Sequence, residues 1–423
     1  MHPISAILGS VALLLLGSGL LNTLLALTAS NHGFSTALTG LIMSGYFAGF
    51  TCGTFISGRL IQRIGHIRTF AFCAACCSSM ALLHFLLLNP WVWLLLRFCY
   101  GLAFVTLMTV IESWLNTRAK EERGKMFAVY MVVNLCAVAA AQQLLRLQTE
   151  NAFLLFALAS IFISWALLPI TITSRSQPHV PERPKSSLKK LLQFAPLPVA
   201  ASILSGLAMG AFWSMTPLYA SRLGFSFSDV GLLMSVTIIG GALLQLPIGR
   251  YSDKHDRRLI LIWVTFGAAL LCLAMPLAPG NLPLMAVFFV WGGLAFTLYP
   301  LAIAQLIDQL QPDEVVSGST DMLVLHGAGA AFAPLLAGTV MEVVGVHGLP
   351  LYIATVFGAL GLFASYQVRR VSTLTTGEQA HFEPMVQTSH EVLEMIETEE
   401  MHETHHQHTP ESTEQGNRSN GDH

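Results

Sequence analysis

The chain has 423 residues, 53% of them hydrophobic and 11% charged, with a formal net charge of -2 and a mean hydropathy of +0.61. Soluble domains carry about 25% charged residues. A water-soluble fold is therefore excluded, because the surplus apolar surface requires lipid, and the charge balance gives nucleic-acid binding no support.

A membrane-crossing helix needs about 20 mostly apolar residues. Runs of that kind fall at about 6–28, 37–57, 69–88, 91–111, 125–145, 153–173, 197–220, 229–248, 259–279, 284–305, 319–342 and 348–368. They are continuously apolar rather than alternating, so they predict helices and not barrel strands. The first run lacks a positive leader and a small-residue cleavage site, and is too long for a signal core, so it predicts an uncleaved span. The chain thus predicts an all-α integral membrane protein of about twelve transmembrane helices. Cys73, Cys76 and Cys77 sit inside the third run and read as small packing residues rather than a metal cluster.

Basic residues fix the expected orientation. With the first residues placed in the cytoplasm, Arg59, Arg63 and Arg68 follow helix 2, and Arg118, Lys120, Arg123 and Lys125 follow helix 4. Arg250, Lys254, Arg257 and Arg258 follow helix 8, and Arg369 and Arg370 follow helix 12. All then lie on the cytoplasmic side, and only Arg146 and Arg222 lie opposite, as the positive-inside rule requires. Both termini are expected in the cytoplasm.

Four segments follow: an N-terminal six-helix bundle (1–173), a Pro-containing cytoplasmic linker (174–196), a C-terminal six-helix bundle (197–370) and an acidic, His-rich tail (371–423). The tail composition predicts disorder. Met385, Val392 and Ile396 mark one candidate short amphipathic helix within it, and His402, His405, His406 and His408 read as solvated rather than metal-binding.

The halves repeat. Gly33-Phe34-Ser35 recurs as Gly224-Phe225-Ser226, Gly40 as Gly231, Ser44 as Ser235, and Gly58-Arg59 as Gly249-Arg250, each 191 residues on. Gly101-Leu-Ala-Phe104 recurs as Gly293-Leu-Ala-Phe296, one residue out of step. Each half holds an even number of spans, so both copies enter the membrane from the same side, as parallel repeats do. Such halves can expose a shared site alternately to the two faces.

The loop Gly58-Arg-Leu-Ile-Gln-Arg63-Ile-Gly65-His-Ile-Arg68 and its copy Gly249-Arg-Tyr-Ser-Asp253-Lys254-His-Asp256-Arg257-Arg258 resemble the cytoplasmic loop motif of the major facilitator superfamily. Leu21-Asn22-Thr23, Glu112-Ser113 and Phe296-Thr-Leu-Tyr299-Pro300 are similar to its YcaD-type bacterial branch. The resemblance implies the major facilitator fold, two pseudo-symmetric six-helix bundles in a bacterial inner membrane. It also implies that the loops, with Gly58, Arg63, Gly65, Arg68, Gly249, Asp253, Lys254, Arg257 and Arg258, latch the cytoplasmic side. Gln62 stands where the motif has an acid, and Asp256 where it has a second glycine. Asp253 can face a helix N-terminus of the opposite half.

Three residues are candidates for proton coupling. Arg97, inside helix 4, either faces the cavity or snorkels to the outer interface. Arg97-Phe-Cys-Tyr-Gly101 resembles the family's helix-4 arginine motif. Glu112 faces either inward, as a proton carrier, or outward, as a solvated end charge. His326 either titrates during transport or packs as a neutral histidine. Asn22, Asn134, Gln142, Trp213 and Tyr299 are candidate cavity lining, with Trp213 and Tyr299 suited to an aromatic solute. His84 and Glu342 read as solvated outer-end residues. Gly329 to Gly338, with Pro334, reads as close packing and a kink.

The expected function is secondary active transport of a small organic solute, proton-coupled, by a monomer in contact with lipid and with no cofactor or metal. The alternative is a non-transporting sensor or adaptor with the tail as its output. Enzymes are disfavoured: the chain holds no HExxH, no phosphate loop and no nucleophile constellation.

Overall fold

The computed structural model describes residues 3–118, 123–147, 152–173, 188–311 and 314–369, with Phe382 and Met385. Among them twelve helices are long and apolar enough to cross a membrane. They are α1 (Ile4–Asn31), α2 (Thr36–Ile64), α3 (His66–Leu86), α4 (Pro90–Thr117), α5 (Gly124–Leu147), α6 (Phe153–Thr171), α7 (Pro196–Arg222), α8 (Phe227–Ser252), α9 (Arg257–Leu277), α10 (Asn281–Ile307), α11 (Ser317–Val344) and α12 (Gly348–Val368). The expected spans are all present. The linker expected at 174–196 lies outside the described residues up to 187, after which Leu188–Phe194 form a short helix. The disorder expected of the tail, Val392, Ile396 and the four tail histidines also lie outside them.

The strongest sequence repeat has a local cause. Gly33 and Gly224 adopt positive φ, 73° and 88°, a conformation that costs glycine little. In each copy the helix ends in a Schellman motif: Phe34 N–H donates to Ala29 O and Phe225 N–H to Ala220 O. Ser35 and Ser226 then cap α2 and α8 through their side chains.

The structure corrects one detail of the repeat. A Cβ on Gly101 would lie 2.1 Å from Tyr46 O, and one on Gly292 would lie 2.3 Å from Thr237 O. Tyr46 and Thr237 are also 191 apart, so Gly292, not Gly293, is the counterpart of Gly101. Gly49 against Phe98 O and Gly240 against Phe289 O repeat the same crossing. The offset of 191 thus holds through α2–α4 and α8–α10. The out-of-step match reflects a swapped contact: Gly53 meets Leu102 in one half, and Gly293 meets Leu244 in the other.

We call the end carrying Arg59 and Arg250 the basic end, and the other the far end. The halves meet through α2 against α11, α5 against α8 and α1 against α7. Their close contacts lie toward the far end. Cβ atoms on Gly40 and Gly231 would meet Pro334 O and Gln142 O at 2.2 and 2.3 Å. Ser44 Oγ accepts from Leu335 N–H at 3.1 Å. Gln143 Nε2 donates to Ser235 Oγ at 2.5 Å.

Glu342 is not merely solvated. Its carboxylate accepts from Thr36 N–H (2.8 Å), Thr36 Oγ1–H (2.7 Å) and Ala37 N–H (3.3 Å). It therefore caps the N-terminus of α2 from the opposite half, where negative charge is favoured. Asp253, expected in that kind of role, instead pairs with Arg257 of its own half. His84, also expected to be solvated, is fully buried against Trp93, its Nδ1 2.6 Å from Met80 O.

Candidate functional site

A cavity of about 140 Å³ lies among α1, α2, α4, α5 and α7. Asn22, Tyr46, Phe50, Phe104, Asn134 and Trp213 are among its lining. Its walls are chiefly apolar because these helices present long apolar side chains toward the interface. The few polar groups fix what it can hold.

Arg97 is 1% exposed and turns inward rather than snorkelling. Its Nη2 donates to Asn22 Oδ1 at 2.6 Å. Its guanidinium lies 4.6 Å from the Tyr46 ring centroid and 5.9 Å from that of Tyr100. A buried charge is tolerable when hydrogen-bonded and faced by aromatic rings. Asn22 Nδ2 in turn donates to Trp213 O at 3.2 Å. Asn22 and Trp213 are themselves 191 residues apart, so the cavity wall contains the point where the repeats meet. The position equivalent to Arg97 is Phe288, so this charge belongs to one half only.

The other candidates are dispersed. Asn134 lines the cavity and donates to Tyr130 O at 3.3 Å. Gln142 ties α5 to α1, accepting from Thr23 Oγ1–H at 2.7 Å and donating to Gly19 O at 3.3 Å. Glu112 faces inward near the basic end, fully buried, and accepts the Tyr130 hydroxyl at 2.5 Å. His326 lies among α7, α10 and α11, with Nδ1 3.1 Å from Ser205 Oγ and its ring 4.4 Å from Tyr299. His326 and Tyr299 thus form a cluster in the C-terminal half, separate from the cavity lined by Asn22 and Trp213.

The loop motifs differ between halves. Arg257 is buried and donates to both carboxylate oxygens of Asp308 (2.8 and 2.9 Å), to Asp253 (2.9 Å) and to Ala304 O (3.0 Å). This charged knot joins the ends of α8, α9 and α10. Arg258 pairs with Asp256 at 3.1 Å. The equivalents of Asp253, Arg257 and Asp308 are Gln62, His66 and Thr117. There His66 is buried, stacked on Trp114 with Nε2 3.3 Å from Ser113 Oγ. The missing acid at Gln62 is thus matched by a missing base at position 66. Gly58, Arg63, Gly65, Arg68, Gly249 and Lys254 all lie at this basic end.

Sequence reasoning missed Tyr46, Tyr100 and Tyr130, which read as ordinary aromatics in apolar runs. It also missed Asp308, which stands outside both loop motifs.

Two parallel six-helix bundles around a central cavity define a polytopic membrane transporter. The Major Facilitator Superfamily model matches residues 7–228 and 198–393, and the chain belongs to that family. It is 29% identical to an uncharacterized MFS-type transporter of Yersinia enterocolitica, over 81% of this chain and 89% of that one. It is 28% identical to the uncharacterized MFS-type transporter YcaD of Escherichia fergusonii, over 84% and 93%. Among solved structures, the nucleoside transporter NupG superposes with a TM-score of 0.74 at 14% identity, over 88% of this chain and all of the other. An inward-facing, occupied bacterial homologue of the lysosomal transporter Spinster superposes at 0.69, also at 14% identity, over 88% and 98%. These likenesses establish the fold. The chain is a multi-pass bacterial membrane protein of a secondary-transporter family, and its substrate is a small molecule.

Proposed function

We propose that the chain moves a small organic solute across the inner membrane by alternating access, coupled to protons, as a monomer with its basic end and both termini in the cytoplasm. The observation carrying this reading is the matched pair of stripes on α2 and α8. Gly40 and Ser44, and their repeats Gly231 and Ser235, engage the opposite half at the far end. Eighteen residues are five helical turns, so Gly58 and Gly249 return to the same faces at the basic end. Each helix therefore carries one face able to close at either end.

In this reading the structure is the inward-facing state. A planar or aromatic solute with a hydrogen-bonding group enters between Tyr46, Phe104 and Trp213. Competing for Asn22, it loosens the bond to Trp213 O and so couples binding to the junction of the halves. Arg97 supplies fixed positive charge beside it. Glu112, held by Tyr130, is the proton carrier. His326 serves packing or a second protonation step. The loops of both halves latch the cytoplasmic face when it closes. Lipid surrounds the outer faces. No cofactor, metal, nucleic acid or enzymatic step enters the cycle. The adaptor alternative lacks a cavity-based role for Arg97.

The test is solute-dependent proton flux in proteoliposomes, after a thermal-shift screen for the solute. Wild-type protein should change the lumenal pH only with solute, and Arg97→Ala should abolish this. Solute transport without proton movement would reject the coupling.

A further inference from the structure

The basic-end part of the α8 stripe is covered by Phe382, with Met385 beside it. A Cβ on Gly249 would lie 2.0 Å from Phe382 Cδ1, so the ring rests directly on the glycine backbone. Phe382 N–H donates to Asp253 Oδ1 at 2.9 Å, and Gln245 Nε2 donates to Met385 O at 3.2 Å. Phe382 and Met385 are 8% and 5% exposed. An apolar ring and two backbone anchors thus seat these residues on the second loop motif.

Gly249 lies five turns beyond Gly231, on the same azimuth of α8. Gly231 touches α5 through Gln142 O. Along α5, the face that meets Ser235 through Ala139 continues toward the basic end through Val132 and Ala128, both exposed, Val132 by 60%. The two surfaces that would meet on closing the basic end are therefore the Gly249 face of α8, under Phe382, and an exposed small-residue face of α5. In the other half Gly58 remains half-exposed.

We propose that the segment carrying Phe382 and Met385 is an autoinhibitory wedge. It occupies the α8 surface on which α5 must close, and holds the transporter open at the basic end until it is withdrawn. Asp253, which the family motif would direct to a helix end of the opposite half, is held meanwhile by a tail amide. This inference rests on the alternating-access reading.

The test is hydrogen exchange on the full chain in lipid nanodiscs. It compares wild type, Phe382→Ser, Phe382→Leu and a deletion of residues 378–423, with Glu342→Gln as a separate release of the far end. With the wedge removed, Phe382→Ser and the deletion should slow exchange across 126–136 of α5. They should also speed it across 36–44 of α2, by roughly 10- to 150-fold, the scale of one buried aromatic side chain. Phe382→Leu should stay near wild type. Faster exchange confined to 245–253, with α5 and α2 unchanged, would overturn the wedge. If Glu342→Gln opens the far end and the tail variants do not, only the wedge fails. If none of them opens it, alternating access fails as well.

Discussion

Gly40→Ala is the sharpest probe of the interface between the halves. Its Cβ would lie 2.2 Å from Pro334 O, against an ordinary contact of 3.4 Å, so α2 and α11 must part locally by the difference, 1.2 Å. The obstacle is a backbone carbonyl, which no rotamer change can move. Overpacking of this kind costs about 1–3 kcal/mol. The strain exists only while the far end is closed, so it shifts the two-state equilibrium toward the far-open form by about 5- to 150-fold. Gly231→Ala, 2.3 Å from Gln142 O, should act in the same direction. Gly49→Ala, 1.9 Å from Phe98 O within one half, strains both states alike and should lower Tm without shifting them. Spin labels on His32 and Val343, both exposed at the far end, report the separation once Cys52, Cys76, Cys99 and Cys136 are serine. Should Gly40→Ala behave like Gly49→Ala, losing stability with an unchanged distance distribution, the assignment of this contact to a moving interface is wrong.

Four further outcomes are expected. Arg257→Ala leaves Asp253 and Asp308 without their shared cation, and should cost about 3–5 kcal/mol, read as a lower Tm that Asp308→Asn partly restores. Arg97→Lys keeps the charge but loses the flat guanidinium lying over the Tyr46 ring and near that of Tyr100, so flux should fall on the order of tenfold. Glu112→Gln keeps a hydrogen-bonding group for Tyr130 and removes the proton site, so solute counterflow should survive while proton-driven uptake is lost. Glu342→Gln weakens the cap on α2 by about 1 kcal/mol, raising the far-open population about fivefold, visible with the same label pair.

The spans, the repeat and the basic asymmetry were legible in the sequence because each is a one-dimensional consequence of lipid: length, composition and charge placement. Gly33 and Gly224 were legible as a repeat, though their Schellman role emerged only with backbone angles. Pairings across the bundle were not legible. Glu342 looked like an end charge because its partner, the start of α2, is 306 residues away. His84 looked exposed because its position near a helix end says nothing about Trp93 beside it. Arg97 and Glu112 admitted both inward and outward readings, since an azimuth requires knowing which helices surround α4. Asp308 escaped notice because its partner Arg257 lies on another helix. Phe382 stood unmarked in a tail read from composition and from the spacing of Met385, Val392 and Ile396, neither of which carries information on a single aromatic meeting a glycine.

The central claim is that one pair of halves closes at either end in turn. Distances between spin labels on His32 and Val343 at the far end, and on Arg59 and Arg250 at the basic end, test it most directly in the same serine background and in lipid nanodiscs. The account predicts two anticorrelated populations, far-short with basic-long and the reverse, whose ratio Gly40→Ala shifts toward the far-long form. A single distribution for each pair, unmoved by Gly40→Ala and Gly231→Ala, would contradict it.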